Sequence, residues 1–131
     1  MTAELTALTW AALLQIAQLG LAVVFGDAQT GIKYGAGPRD EVRPLTGMAG
    51  RVERAMNNHQ AALGLFTIAV LAVTLGGAAT ALTAACAWIY LAARIAYVPA
   101  YMSGIPYLRS AFWTISSGAT VTLLILALRG G

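Results

Sequence analysis

Charge is scarce in this sequence. Asp, Glu, Lys and Arg make up 10% of its 131 residues, against about 25% in an ordinary soluble domain. So few charged groups cannot clothe a water-facing globule, and a soluble fold is set aside at the outset. Cysteine occurs once, as Cys86, so no intrachain disulfide can form. Cys86 lies in the apolar run TALTAACAWIYLAA with no basic neighbour, which marks a small buried residue rather than a reactive thiol. Histidine also occurs once, as His59. Without a second imidazole no metal site is expected, and His59 reads as a contact between helices. The excess of eight Lys plus Arg over five Asp plus Glu gives a net charge of +3. That excess is too small and too scattered for a nucleic-acid surface.

What is abundant is apolar. The chain is 59% hydrophobic, with a mean hydropathy of +0.73. A membrane-crossing helix needs about 20 mostly apolar residues. Leu5 to Phe25 is one such run, opening without the basic segment of a cleavable signal peptide. Gln15 and Gln18, three residues apart on its length, share a face and are expected to bond a neighbouring helix. Asp27 to Gly50 is a polar connection containing GAGPRDEVRPLTG. The apolar block Ala61 to Ala93 is too long for one span, and Gly76-Gly77 divides it into two antiparallel helices. Tyr101 to Pro106 reads as the next turn, with Pro106 suited to the first position of a helix running from Tyr107 to Leu128.

The reading is therefore all-α: residues 1–131 form a single integral membrane domain, a bundle of four spanning helices. Basic residues flank the first and third connections and are absent from the second. The first and third connections are expected to face the cytoplasm and both termini the outside, with Arg129 a mild exception.

Polar residues gather at one end of these spans. The stretch RVERAMNNHQ (51–60) leads into only fifteen apolar residues before the Gly-Gly turn. Fifteen residues of helix cover about 22 Å of a hydrocarbon core roughly 30 Å thick. Asn57 to Gln60, and Arg54 with them, thus reach the edge of the hydrocarbon or enter it. Arg94 lies at a similar depth on the third span. Helical spacing puts Arg51, Arg54 and Asn58 on one face, Arg94, Tyr97 and Tyr101 on another, and Arg109, Trp113 and Ser117 on a third. Arginine facing lipid at that depth is costly, so the stripes are expected to face each other or a water-filled cavity. Glu53 can offset one arginine; the remaining positive charge invites an anion. Two plainer readings stay open. Arg51, Arg54 and Arg109 serve equally well as anchors to lipid phosphates, and Tyr90, Tyr97, Tyr101 and Tyr107 as an aromatic belt.

RVERAMNN (51–58), ARIAYVPAYMSGIPYLRS (93–110) and the preceding PRDEVRPLTG together resemble the small bacterial branch of the MAPEG superfamily, the membrane-associated proteins in eicosanoid and glutathione metabolism. The resemblance spans the whole chain. It implies a homotrimer in the bacterial inner membrane that binds glutathione as co-substrate between subunits at the cytoplasmic side. Carried over by position, Arg51, Arg54, Asn57 and Asn58 form the helix-two wall of that site. Arg94, Tyr97 and Tyr101 come from the third helix, and Trp113 and Thr114 from the fourth. Arg109 and Ser110 take the catalytic positions that stabilise the glutathione thiolate. The implied activity is that of a glutathione-dependent transferase or peroxidase acting on a lipophilic small molecule delivered through membrane lipid. The family pattern R-A-x-x-N-x-x-E is broken here, because Ala61 stands where the glutamate is expected. That departure keeps a second reading in play, a non-catalytic scaffold or lipid-binding member. A small proton-coupled exporter fits less well, since the only acid close to a span is Glu4 at the start of the first.

Overall fold

A computed structural model describes residues 1–130. Four long helices, α1 (Ala3–Thr30), α3 (Gly47–Leu75), α4 (Ala81–Ser103) and α5 (Leu108–Arg129), are each long and apolar enough to cross a membrane. A five-residue helix, α2 (Ile32–Ala36), interrupts the first connection. No strand occurs among the described residues. The chain is an integral membrane four-helix bundle.

Each boundary has a local cause. At the start of α1 the Thr2 hydroxyl accepts from the Leu5 amide. α3 stops at Gly76-Gly77, where Gly77 takes φ +68°. The Ala78 amide reaches back to the Val73 carbonyl and the Gly77 amide to the Thr74 carbonyl. This pair of bonds closes a helix through a left-handed residue, which glycine enters at little cost. α4 starts at Ala81, with a reciprocal cap between Thr80 and Thr83.

Four helix ends differ from the sequence-based expectation. α1 continues to Thr30 and α3 begins at Gly47, so the polar connection is shorter than Asp27 to Gly50. Its ends are tied by Gln29, whose amide accepts from the Thr46 amide at 2.8 Å and donates to the Thr46 carbonyl at 3.1 Å. α4 runs through Tyr101 to Ser103 despite Pro99 within it, and the turn is set by Gly104 in the left-handed region. Pro106 does not open α5. Tyr107 takes the capping position at φ +67°, and the helix begins at Leu108.

α3 and α4 lie between α1 and α5: each outer helix packs on both of them, and α1 and α5 share no contact among the described residues. Two bonds fix the register. Thr83 Oγ1 lies 2.6 Å from Glu4 Oε1, and His59 Nε2 lies 2.9 Å from the Ala11 carbonyl oxygen. α1 and α4 therefore run the same way, with α3 against them. The core near the Gly-Gly hairpin is apolar and built largely from small residues, including Ala7, Ala11, Ala69 and Ala87. Phe66 stacks on Tyr90 there, ring centroids 3.7 Å apart and nearly parallel. Toward the other end the interior turns polar.

Candidate functional site

That polar interior centres on Arg94, which is 1% exposed. Its Nε donates to His59 Nδ1 at 3.3 Å and its Nη1 to Asn58 Oδ1 at 3.1 Å. A guanidinium can only donate, so His59 Nδ1 must be bare, and the imidazole carries its hydrogen on Nε2, aimed at the Ala11 carbonyl. His59 is thus the contact between helices that the sequence suggests. Arg94 Cζ also sits 4.2 Å from the centroid of the Tyr97 ring. No carboxylate pairs with this buried cation. The one ion pair among the described residues is Arg43–Glu41, in the first connection.

Several expected contacts are not formed. Gln15 and Gln18 are buried as their shared face requires, yet Gln15 Oε1 and both amide atoms of Gln18 find no partner among the described residues. Glu53 offsets no arginine. Tyr90 and Tyr97 are fully buried inside the bundle, so they belong to no lipid-facing belt; Tyr107, 86% exposed, is the tyrosine that faces outward most.

The i, i+3, i+7 stripe of α4 therefore runs obliquely. Arg94 and Tyr97 point into the interior, and Tyr101, one turn further, emerges at a cavity. The cavity has a volume of about 430 Å³ and lies between the start of α3, the end of α4 and the start of α5. Arg51, Arg54, Tyr101, Arg109 and Ser110 supply its polar wall. Arg54 Nε donates to the Tyr101 hydroxyl at 3.0 Å, and Arg109 Cζ lies 4.8 Å from the Tyr101 ring centroid. The Tyr97 ring meets Tyr101 edge to face at 5.7 Å. Its hydroxyl has no hydrogen-bond partner among the described residues. A continuous chain of contacts thus links the interior cation to the cavity wall, from Arg94 through Tyr97 and Tyr101 to Arg54 and Arg109.

The α4–α5 turn forms the rest of the cavity: Gly104, Ile105, Pro106 and Tyr107, with Ala100 on the last turn of α4. Sequence reading gives Gly104 and Ile105 no role beyond a connection. Gly104 has a second role besides its φ of +70°. A Cβ there would lie 3.0 Å from the Arg51 guanidinium carbon, so glycine lets Arg51 lie across the turn and donate to the Met102 carbonyl at 3.3 Å. The legible signal is the glycine itself, two residues before a proline.

The remaining predicted site residues lie elsewhere. Asn58 is committed to Arg94. Asn57 lines a second cavity of about 640 Å³ between α1, α2 and α3, together with Asp27 and Glu53. Trp113 is 47% exposed, and Thr114 is exposed with its hydroxyl bonded to the Ser110 carbonyl. Both face outward from the bundle. Within one chain the cavity therefore gathers Arg51, Arg54, Tyr101, Arg109 and Ser110, and leaves Asn57, Asn58, Arg94, Tyr97, Trp113 and Thr114 outside it.

Chemically the cavity suits an anion. Three guanidinium groups line it, no carboxylate does, and the Ser110 hydroxyl can donate a hydrogen bond. No curated protein matches the sequence. The MAPEG family, however, matches over residues 7–129, nearly the whole length, taking in all four spans and every residue of the cavity. By that match and by its four-span helical architecture, the chain belongs to the MAPEG family.

Proposed function

We propose that this MAPEG protein is a membrane-embedded, glutathione-dependent transferase or peroxidase acting on lipophilic electrophiles. The family includes glutathione transferases and peroxidases. The observation that carries the reading is the convergence of Arg51, Arg54, Arg109 and Ser110 on one cavity that no acid lines. Glutathione has two carboxylates and one ammonium group and is a net anion at neutral pH, so guanidinium forks can seat it. In this reading Arg109 supplies the positive charge that favours the thiolate, and the Ser110 hydroxyl donates to the sulfur. The thiol proton leaves to solvent, and the sulfur attacks the electrophile. A carbon centre gives a thioether and expels its leaving group. A peroxide loses its O–O bond to give an alcohol and a sulfenic acid, which a second glutathione converts to disulfide and water.

The protein is proposed to work as a homotrimer in a bacterial inner membrane, with the cavity at the cytoplasmic side. Asn57, Trp113 and Thr114 would then act across a subunit boundary, and Asn58, Arg94 and Tyr97 from behind the wall. A second reading, a scaffold or lipid-binding protein without catalysis, is favoured by one observation: Ala61 is exposed on α3 where the family's glutamate would stand.

The test is the ultraviolet thiolate absorbance of the detergent-purified protein on adding glutathione, with Arg109→Ala beside wild type. Wild type is expected to show a rise that the variant loses. No rise and no bound glutathione in either protein would overturn the enzyme in favour of the scaffold.

A further inference from the structure

Arg94 is enclosed by its own chain. It is 1% exposed, and His59, its partner on α3, is fully buried. A neighbouring subunit cannot touch either side chain, so the surroundings of this cation are settled within one chain. Every acceptor around it is neutral. His59 Nδ1 takes Nε, Asn58 Oδ1 takes Nη1, and the Tyr97 ring lies under the guanidinium carbon. Nη2 has no partner among the described residues. α1 brings two more neutral groups to this layer. Gln15 lies as far along α1 from the Glu4–Thr83 bond as Arg94 lies along α4, which puts Gln15 level with Arg94 and Gln18 level with Tyr97. Both glutamines are buried, and their amide oxygens have no partner among the described residues.

Asparagine and glutamine have the shapes of aspartate and glutamate, and one carboxylate in this layer would cancel the charge of Arg94. The acids of the chain lie elsewhere. Glu4 is on the order of 15 Å further along the bundle, bonded to Thr83. Asp27 and Glu53 line the second cavity, and Asp40 and Glu41 belong to the first connection. Arginine keeps its proton even when buried, whereas lysine readily loses it. The interior therefore holds a permanent positive charge that is bound only by dipoles. Such a charge is costly to keep. Its field is also little weakened, because salt screens buried charges far less than exposed ones. Two aromatic rings separate it from Arg109: Tyr97, then Tyr101, whose centroid lies 4.8 Å from the Arg109 guanidinium carbon.

We infer that Arg94 is a positioning residue for thiolate formation: its unneutralised charge, held behind the wall by His59 and Asn58, lowers the proton affinity of a thiol bound in the cavity without touching it. The thiol proton leaves to water, as in the reading above, and the buried cation favours the sulfur anion that remains. Arg54 and Arg109 are exposed and share their charge with solvent. Arg94 adds a component that solvent screens far less. One charge at about 10 Å, at the effective dielectric of a protein, moves a thiol's titration by about one pH unit. The inference rests on the glutathione reading and gives the buried polar layer a part in it.

A pH titration of thiolate absorbance at saturating glutathione, on the full-length protein in detergent, tests it. Asn58→Asp keeps the shape and the bond to Nη1 and adds one negative charge. Its bound thiol is expected to titrate about one pH unit higher than in wild type, a loss of up to about tenfold in thiolate at neutral pH. Gln15→Glu brings the same charge from α1 and should move the midpoint the same way, which keeps the test open where one variant fails to fold. His59→Gln leaves Arg94 with neutral acceptors and should hold the wild-type midpoint even as affinity falls. A midpoint below that of free glutathione that neither carboxylate moves would overturn the inference and leave the thiol site standing. An equal shift in His59→Gln would also overturn it, because it would mark a structural disturbance rather than a charge. A wild-type thiol that titrates no lower than free glutathione would remove the thiolate reading and the inference together.

Discussion

The two ends of this bundle use opposite chemistry on the same helices. At the hairpin end, around Gly76-Gly77, the interior is Ala7, Ala11, Ala69, Val70, Val73 and Ala87 with one aromatic stack, Phe66 on Tyr90. Its one acid, Glu4, is answered by Thr83. At the other end the interior holds a guanidinium, an imidazole and two glutamines, and several of their polar atoms have no partner among the described residues. Within a membrane, hydrophobic burial gives little net drive for helices to associate, so close packing of small side chains holds the first region. The second region is specified by directional bonds instead, which are fewer and more easily broken. The cavity grows out of the second region. Packing end and working end are separate, and a substitution should betray which one it touches.

The largest effect is expected from Phe66→Ala. It empties the aromatic stack at the hairpin end and should lower stability by about 3–5 kcal/mol, read by denaturant titration in detergent. Affinity for an anionic ligand should stay within error of wild type in the folded fraction. A matched loss of affinity would mean that the two ends are not separable. His59→Leu should cost about 1–3 kcal/mol, because Arg94 Nε and the Ala11 carbonyl lose their shared partner. Unlike Phe66→Ala, it should also weaken ligand binding through the Arg94–Tyr97–Tyr101 chain. His59→Gln, able to restore one bond, should recover part of both losses. The smallest effects compare the two turns. Thr80→Ala removes the cap of α4 and should cost about 1 kcal/mol with affinity unchanged. Gly104→Ala forces an alanine into the left-handed region at a similar cost of about 1 kcal/mol. It should reduce ligand affinity too, because the new methyl group crowds Arg51.

The sequence makes the packing end easy to read and the working end hard. Four spans follow from apolar length, and the Gly-Gly turn is found from a single break in an apolar block. Which face of each helix turns inward is a different matter. A helix apolar on nearly every side carries little amphipathic contrast, so periodicity cannot separate lipid-facing from core-facing residues. Arg94, Tyr97 and Tyr101 are rightly placed on one stripe, yet only the fold shows that the stripe passes from the interior to the cavity. The family resemblance puts Arg94 on the ligand-binding wall; the bonds to His59 and Asn58 hold it in the interior behind the cavity. Glu53 looks like a partner for a neighbouring arginine, and helical rotation carries it to the second cavity. The α4–α5 junction is misjudged by a few residues because Pro99 and Pro106 draw attention, whereas Gly104 and the left-handed Tyr107 set the turn.

The bond from His59 to the Ala11 carbonyl has a practical consequence. The protein owns one imidazole, and both of its ring nitrogens are engaged, each by a different helix. Nitrogen resonance spectra of histidine-labelled protein should therefore contain a single tautomer, hydrogen on Nε2, for as long as α1, α3 and α4 stay docked. Loosening of any of the three helices would register in that lone signal, giving the bundle a built-in gauge of its own integrity that needs no added probe.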